Sequence, residues 1–220
     1  MHAYPKFLNS YGFTLTELVV YIGMSGLLTL GVMKLYVTNI NVASSQRNTS
    51  EMFQNLRAAM SLMKSEIRRA GCDPLGTNKG RTVISDDYLG FLNHDDDQYN
   101  TDSNSIHFTQ DIVSPADGWA YSENENVAYF KKNESGIKTL YRWCGISNKE
   151  YVVMRHIKSL NFNYYDSAGD EITISQDSDR ANIRVVKITL VGLTEKPDPL
   201  MGEQKEQTLT AYVRVRNLNL

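Results

Sequence analysis

Cysteine is scarce in this sequence. Cys72 and Cys144 are the only two among 220 residues, too few for a disulfide framework. They leave two readings open: buried thiols in a reducing compartment, or one bridge in an oxidising one. Histidine is almost as rare. His2, His94, His107 and His156 are scattered, without the spacing that metal ligation needs. No glycine-rich phosphate loop and no nucleophile elbow occurs, and no internal repeat is visible. Charge of one sign is missing too. Lys plus Arg number 23 and Asp plus Glu 25, so the net charge of −2 gives no whole-protein field for nucleic acid. These absences argue against an enzyme and imply no cofactor. The most informative absence is local: no Asp, Glu, Lys or Arg lies between Glu17 and Lys34.

That gap holds an apolar run from Leu18 to Met33. With Phe13 to Thr16 added on its N-terminal side, the run reaches the roughly 20 residues that span a bilayer. Glu17 is the anomaly within it. A carboxylate at the edge of a spanning segment costs about 2.5–3.5 kcal/mol and calls for a partner. Residues 1–12 (MHAYPKFLNSYG) form a short polar leader without the apolar core of a secretory signal. The small residue Gly12 precedes the run, and no small-residue cleavage site follows Met33.

The contiguous stretch Gly12-Phe13-Thr14-Leu15-Thr16-Glu17-Leu18 resembles the class III signal of type IV pilins and type II secretion pseudopilins. The resemblance implies cleavage between Gly12 and Phe13 by a membrane prepilin peptidase, then N-methylation of the new Phe13 amine. Glycine suits such a site because it leaves room for the peptidase around the scissile bond. The resemblance also implies that Glu17 attracts the N-terminal amine of a neighbouring subunit during filament assembly. Lys34 stands where major pilins often carry a helix-bending proline, a departure that fits a minor component.

Further on, the pattern changes twice. Asn39, Asn41, Ser44, Ser45, Asn48, Thr49 and Ser50 make residues 38–50 polar and poor in helix propensity, which leaves open whether the helix continues through them or frays and breaks. Met52, Leu56, Met60, Met63 and Ile67 then recur at steps of three or four, a helix face suited to packing on a sheet. Ala70-Gly71-Cys72-Asp73-Pro74 reads as the helix stop. Short runs of β-formers follow: Ser105–Thr109, Val127–Lys131, Ile137–Trp143, Tyr151–Tyr165, Glu171–Ile174, Asn182–Gly192 and Gln207–Asn217. Asn133–Gly136 and Asp166–Asp170 read as hairpin turns.

The expected fold is therefore α+β: a long N-terminal helix, membrane-spanning in its first half, packed on an antiparallel sheet. Its expected parts are a leader over 1–12 and a transmembrane or filament-core helix over 13–37. An amphipathic helix over 38–74 and a β-rich domain over 75–220 complete it. Ile67–Gly71, Val185–Leu190 and Val213–Asn217 add patchy similarity to PilW-type minor pilins, with J-type secretion pseudopilins close to the same pattern. The partners implied are the prepilin peptidase, other minor pilins, the major pilin and the pilus assembly platform. The implied location is the bacterial inner membrane, with the C-terminal domain in the periplasm, and then the pilus at the cell surface.

Other readings stay beside this one. The function is that of a minor pilin starting or capping a pilus, or of a pseudopilin at a secretion tip. A tip adhesin or DNA-binding module is the alternative of another class, and an anchored enzyme the third. Tyr141, Arg142 and Trp143 offer a weak base-stacking pattern. Asp95, Asp97, Asn100 and Asp102 offer oxygen ligands for calcium, but the loop lacks the glycine and terminal glutamate of an EF-hand, and a solvated loop is the better reading.

Overall fold

The apolar run and the methionine stripe belong to one helix, α1 (Leu15–Ile67). The computed structural model describes residues 12–77, 88–93, 99–113, 115–120, 122, 124–145 and 147–218. The chain divides into two compact units, Met1–Gln46 and Arg47–Leu220, and α1 contributes to both. The sequence leaves open whether the helix is continuous between 38 and 50; the structure has this stretch helical throughout. Thr38 Oγ1 donates to Lys34 O at 2.9 Å, and Arg47 Nε reaches Glu51 Oε1 at 3.1 Å one turn on. Each Asn or Ser costs only a few tenths of a kcal/mol, too little to stop a helix that is already propagating.

After Ile67 the chain makes a tight turn. Ala70 N–H donates to Ile67 O at 3.1 Å, and Gly71 follows with φ 72°. Gly71 N–H then reaches Thr109 O at 2.9 Å, tying the helix stop to the first strand. A Cβ on Gly71 would sit 2.3 Å from Leu218 Cδ2. Left-handed backbone and crowding act together here. Gly71→Ala is therefore expected to cost more than the ~1 kcal/mol of a purely conformational glycine effect. Gly136→Ala, at φ 85° with nothing nearby, serves as the conformational control. Urea midpoints of the two variants check this; equal shifts would refute the crowding.

Among its described residues, unit Arg47–Leu220 holds eight strands: β1 (Ile106–Thr109), β2 (Asn126–Glu134), β3 (Ile137–Cys144), β4 (Lys149–Met154), β5 (Ile157–Tyr165), β6 (Glu171–Ile172), β7 (Val185–Leu193) and β8 (Glu206–Arg214). All pairings are antiparallel. One sheet was expected, but there are two, ordered β1-β2-β3-β4 and β6-β5-β7-β8. The single strand expected over Tyr151–Tyr165 is where they part. His156 has φ 57°, which breaks the strand and sends β4 to one sheet and β5 to the other. No glycine marks that corner, so residue type alone gives no warning of it.

The hairpin turns are where the sequence places them. Ser135 (φ 51°) and Gly136 (φ 85°) join β2 to β3 with the two positive φ values of a tight primed turn. Asp166 Oδ1 accepts from the N–H groups of Ala168, Gly169 and Asp170, at 2.8, 2.9 and 3.0 Å, and so shapes the β5–β6 connection. A short helix, α2 (Asp177–Ala181), was not expected. Asp179 Oδ2 accepts from Ser175 N and Gln176 N at 2.8 and 3.0 Å, which starts it.

Met52, Leu56, Met60, Met63 and Ile67 are all buried, as the stripe predicts. They join Val127, Tyr129 and Leu140 of one sheet, and Leu160, Phe162, Ile188 and Leu190 of the other, in a shared core. Each such aliphatic side chain contributes about 1.5–3 kcal/mol by leaving water. Leu56 lies against backbone: a Cβ on Gly192 would come within 2.9 Å of Leu56 Cγ. The first sheet is covered on its far face as well, where Tyr99, Ala128, Phe130, Tyr141 and Trp143 form a second, smaller cluster.

Candidate functional site

The start of α1 is built from hydroxyls and one carboxylate. Thr14 precedes the helix, and its carbonyl accepts Leu18 N–H at 3.1 Å. Thr14 Oγ1 accepts Glu17 N–H at 3.2 Å, and Glu17 Oε2 accepts Thr14 N–H at 3.3 Å. This is a reciprocal cap. Two peptide donors that the helix itself cannot satisfy are covered by Thr14 and Glu17. The spacing Thr-x-x-Glu was legible in the sequence as a cap, but the glutamate there draws attention as a buried-charge problem instead. The negative carboxylate also faces the positive end of the helix, which stabilises it by roughly 0.3–1 kcal/mol. Gly12 and Phe13 are exposed, and the Phe13 ring meets the Tyr21 ring edge-on at 5.8 Å.

Beyond Glu17 the helix surface is apolar on every side. Val19, Ile22, Leu27, Leu30 and Met33 each expose more than half of their area. The polar side chains in this stretch turn inward on the helix: Ser25 Oγ donates to Ile22 O at 3.0 Å and Thr29 Oγ1 to Ser25 O at 2.8 Å. Neither hydroxyl needs water, which is the condition lipid imposes. Among the described residues, this is the one helix long and apolar enough to cross a membrane.

A second constellation, missed in the sequence, lies where the far end of α1 meets β2 and β3. Glu66 is on the buried side of the helix, one residue before the end of the methionine stripe. Its Oε2 accepts from Tyr129 Oη at 2.6 Å and from Arg142 Nε at 2.9 Å. Arg142 Nη2 donates to Asn124 Oδ1 at 3.2 Å, and its Nη1 faces Cys144 Sγ. Burial raises the Tyr129 phenol far above its ordinary range, and the Glu66 charge adds to it. Burial alone would lower Arg142, but the Glu66 carboxylate outweighs it and holds the guanidinium charged. The arrangement locks helix to sheet, with Glu66, Tyr129 and Arg142 all buried. The only sequence hint was a glutamate on an otherwise apolar helix face.

The remaining predicted site residues are dispersed. Tyr141, Arg142 and Trp143 do not form a base-stacking surface. Arg142 is taken up by Glu66, and Trp143 is buried and stacked on Tyr99 at 4.5 Å. Alternation along β3 sends Arg142 to one side of the sheet and its two aromatic neighbours to the other. Cys72 and Cys144 are not joined by a disulfide in the structure; the first is half-buried and the second buried. Burial pushes the Cys72 thiol up, and the nearby Asp111 and Asp73 carboxylates push it further. Of the calcium candidates, Asp95 and Asp97 lie outside the described residues. Asp102 Oδ1 is engaged by the N–H groups of Asn104 and Ser105, at 2.6 and 2.9 Å. Among the described residues, no group of three or more His, Cys, Asp or Glu side chains is arranged to hold a metal. No protein-family model matches this sequence, and no curated protein aligns with it significantly.

Proposed function

We propose that this chain is a membrane-anchored minor pilin of the PilW type, made as a precursor and cleaved between Gly12 and Phe13. The observation that carries the reading is the conjunction at the start of α1. A glycine-aromatic pair stands directly before the Thr14–Glu17 cap, and a fully apolar helix surface follows it. An ordinary anchor explains the apolar surface and leaves the rest as coincidence. Supporting it further, the second unit has the α+β composition expected of such a subunit. In this reading the protein is not an enzyme. It waits in the inner membrane with unit Arg47–Leu220 outside, and after cleavage joins other minor pilins to start or cap a filament.

Glu17 fits this role because its cap bonds are long, at 3.3 Å, and exposed. A neighbouring subunit's Phe13 amine would offer the carboxylate a full positive charge in place of weak contacts with Thr14. In low dielectric such a pair sets register between subunits. The test is N-terminal sequencing and intact mass of the full chain extracted from the membrane. A start at methylated Phe13 is the expected result. Retention of Met1 would leave only an anchor and would end the proposal.

A further inference from the structure

Among the described residues, β8 is an edge strand with neither proline nor bulge to blunt it. It closes the order β6-β5-β7-β8, and no strand among the described residues pairs with its outer side. Its nine residues contain no proline, and its register with β7 runs from Val185↔Arg214 to Leu193↔Glu206 without a bulge. Thr194 N–H donates to Lys205 O at 2.9 Å and Val215 N–H to Arg184 O at 3.0 Å. Those contacts fix the phase of the ladder. Gln207, Leu209, Ala211 and Val213 bond to β7, so Glu206, Thr208, Thr210, Tyr212 and Arg214 turn their peptide groups outward. The same five residues are the exposed ones. Gln207 Nε2 reaches Thr208 O at 3.2 Å, and at the end of the strand the Glu206 carboxylate is paired with Lys158 Nζ. Charges sit only at the two ends, on Glu206 and Arg214. Edges of this length are normally blunted by proline, inward charge, a bulge or a cover.

Beside this edge runs a groove of about 380 Å³ between β8 and the exposed side of α1. Arg57 and Lys64, two turns apart on α1, and Arg68, just past its end, line it, with Ser61 and Ser65 between them and Met60 and Leu209 as its apolar floor. No carboxylate lines it, and these three cations make no ion pair with a described residue. The cationic surface continues past the end of the strand. Arg216 N–H meets Arg68 O at 3.5 Å, and Arg184, Arg214 and Arg216 border a second groove. The one carboxylate there, Asp166, is already committed to three peptide N–H groups.

We propose that β8 receives an extended acidic segment of another polypeptide. The segment adds as a fifth strand, and every second side chain presents a carboxylate to Arg57, Lys64 and Arg68. Cations alone would suit any polyanion. The edge decides between them, because only a peptide backbone fills alternating donors and acceptors in register. The proposal does not rest on the filament reading and concerns a surface that reading leaves unassigned.

Fluorescence anisotropy of labelled nonapeptides against the full chain in detergent micelles tests it. A peptide of alternating Glu and Thr is expected to bind, and its Lys-Thr counterpart is not. Methylating the peptide's alternate backbone nitrogens, which blocks strand pairing and keeps the charge, should weaken binding by more than about tenfold. The exposed triple change Arg57→Glu, Lys64→Glu, Arg68→Glu should reverse the preference, with folding checked by circular dichroism. Thr210→Pro removes only an outward N–H and should also abolish binding. Equal binding of the methylated peptide, or binding of a fifteen-residue thymidine oligonucleotide or anionic lipid vesicles without binding of the Glu-Thr peptide, would overturn the proposal.

Discussion

Glu66→Ala is expected to be among the most damaging single substitutions in this protein. It would leave the Arg142 guanidinium buried without its counter-charge, a change that costs about 3–5 kcal/mol. Tyr129 Oη would lose its acceptor as well, because Glu66 Oε2 serves both donors. At roughly 2–4 °C per kcal/mol for a unit of this size, the melting temperature should fall by about 10 °C. The double variant Glu66→Met, Arg142→Met separates the cost of breaking the pair from its net worth. Replacing both buried ions with apolar side chains is often neutral or better. Calorimetry of the two variants decides: a Glu66→Ala protein as stable as the parent would show that the lock contributes nothing. The same cluster sets an alkaline limit. Tyr129 holds its proton in the fold above its ordinary range, whereas the unfolded chain releases it near pH 10. The unfolded state then binds fewer protons, so stability falls as pH rises through about 10. Tyr129→Phe should flatten that slope, which the buried Tyr164 and Tyr99 share.

Glu17→Gln is the second substitution with a large expected effect, this time on assembly. Glutamine keeps an oxygen that can accept Thr14 N–H, so the cap and the helix start survive. The charge does not. If the carboxylate neutralises a neighbouring amine in low dielectric, its loss leaves that amine unpaired at a cost of about 3–5 kcal/mol, more than a hundredfold in incorporation. Immunoblots of sheared filaments against membrane fractions measure it. The expected pattern is normal membrane insertion, normal cleavage after Gly12 and loss from filaments. Wild-type incorporation of Glu17→Gln would assign the glutamate to capping alone. Glu17→Leu, which removes cap and charge together, should show a weaker helix start by circular dichroism than Glu17→Gln.

The features legible in the sequence are those with a short period. The i, i+3, i+4 spacing of Met52 to Ile67 gave the buried helix face, and the alternation of Leu160, Phe162 and Tyr164 gave a half-buried strand. Asn133–Gly136 and Asp166–Asp170 gave two turns, because their conformations demand particular residues. What was not legible depends on partners distant in sequence. The Glu66–Arg142 contact spans 76 residues, and neither residue stands out from its neighbours. The corner at His156 carries no turn signature, so two sheets read as one. The polar stretch around residues 38–50 argues for a break by propensity, yet a few tenths of a kcal/mol per residue does not outweigh an ongoing helix. At the candidate site the residue types were legible and their local bonding was not. Glu17 read as a charge in want of a partner, whereas Thr14 already supplies one.

The corner at His156 also governs the order in which the second unit is completed. Each sheet draws on an unbroken stretch of sequence: residues 106–154 for the first and 157–214 for the second. During synthesis the first sheet can therefore close before the second is made. The buried face of α1 comes earlier still, and the last strand that covers it ends 147 residues after Ile67 (214 − 67). At about 5–20 residues per second that face waits roughly 7–30 s, long enough for a bound chaperone or a membrane surface to matter. Methionine at three of its five stripe positions suits such an interval, because a flexible thioether side chain adapts to temporary company before it settles between two sheets.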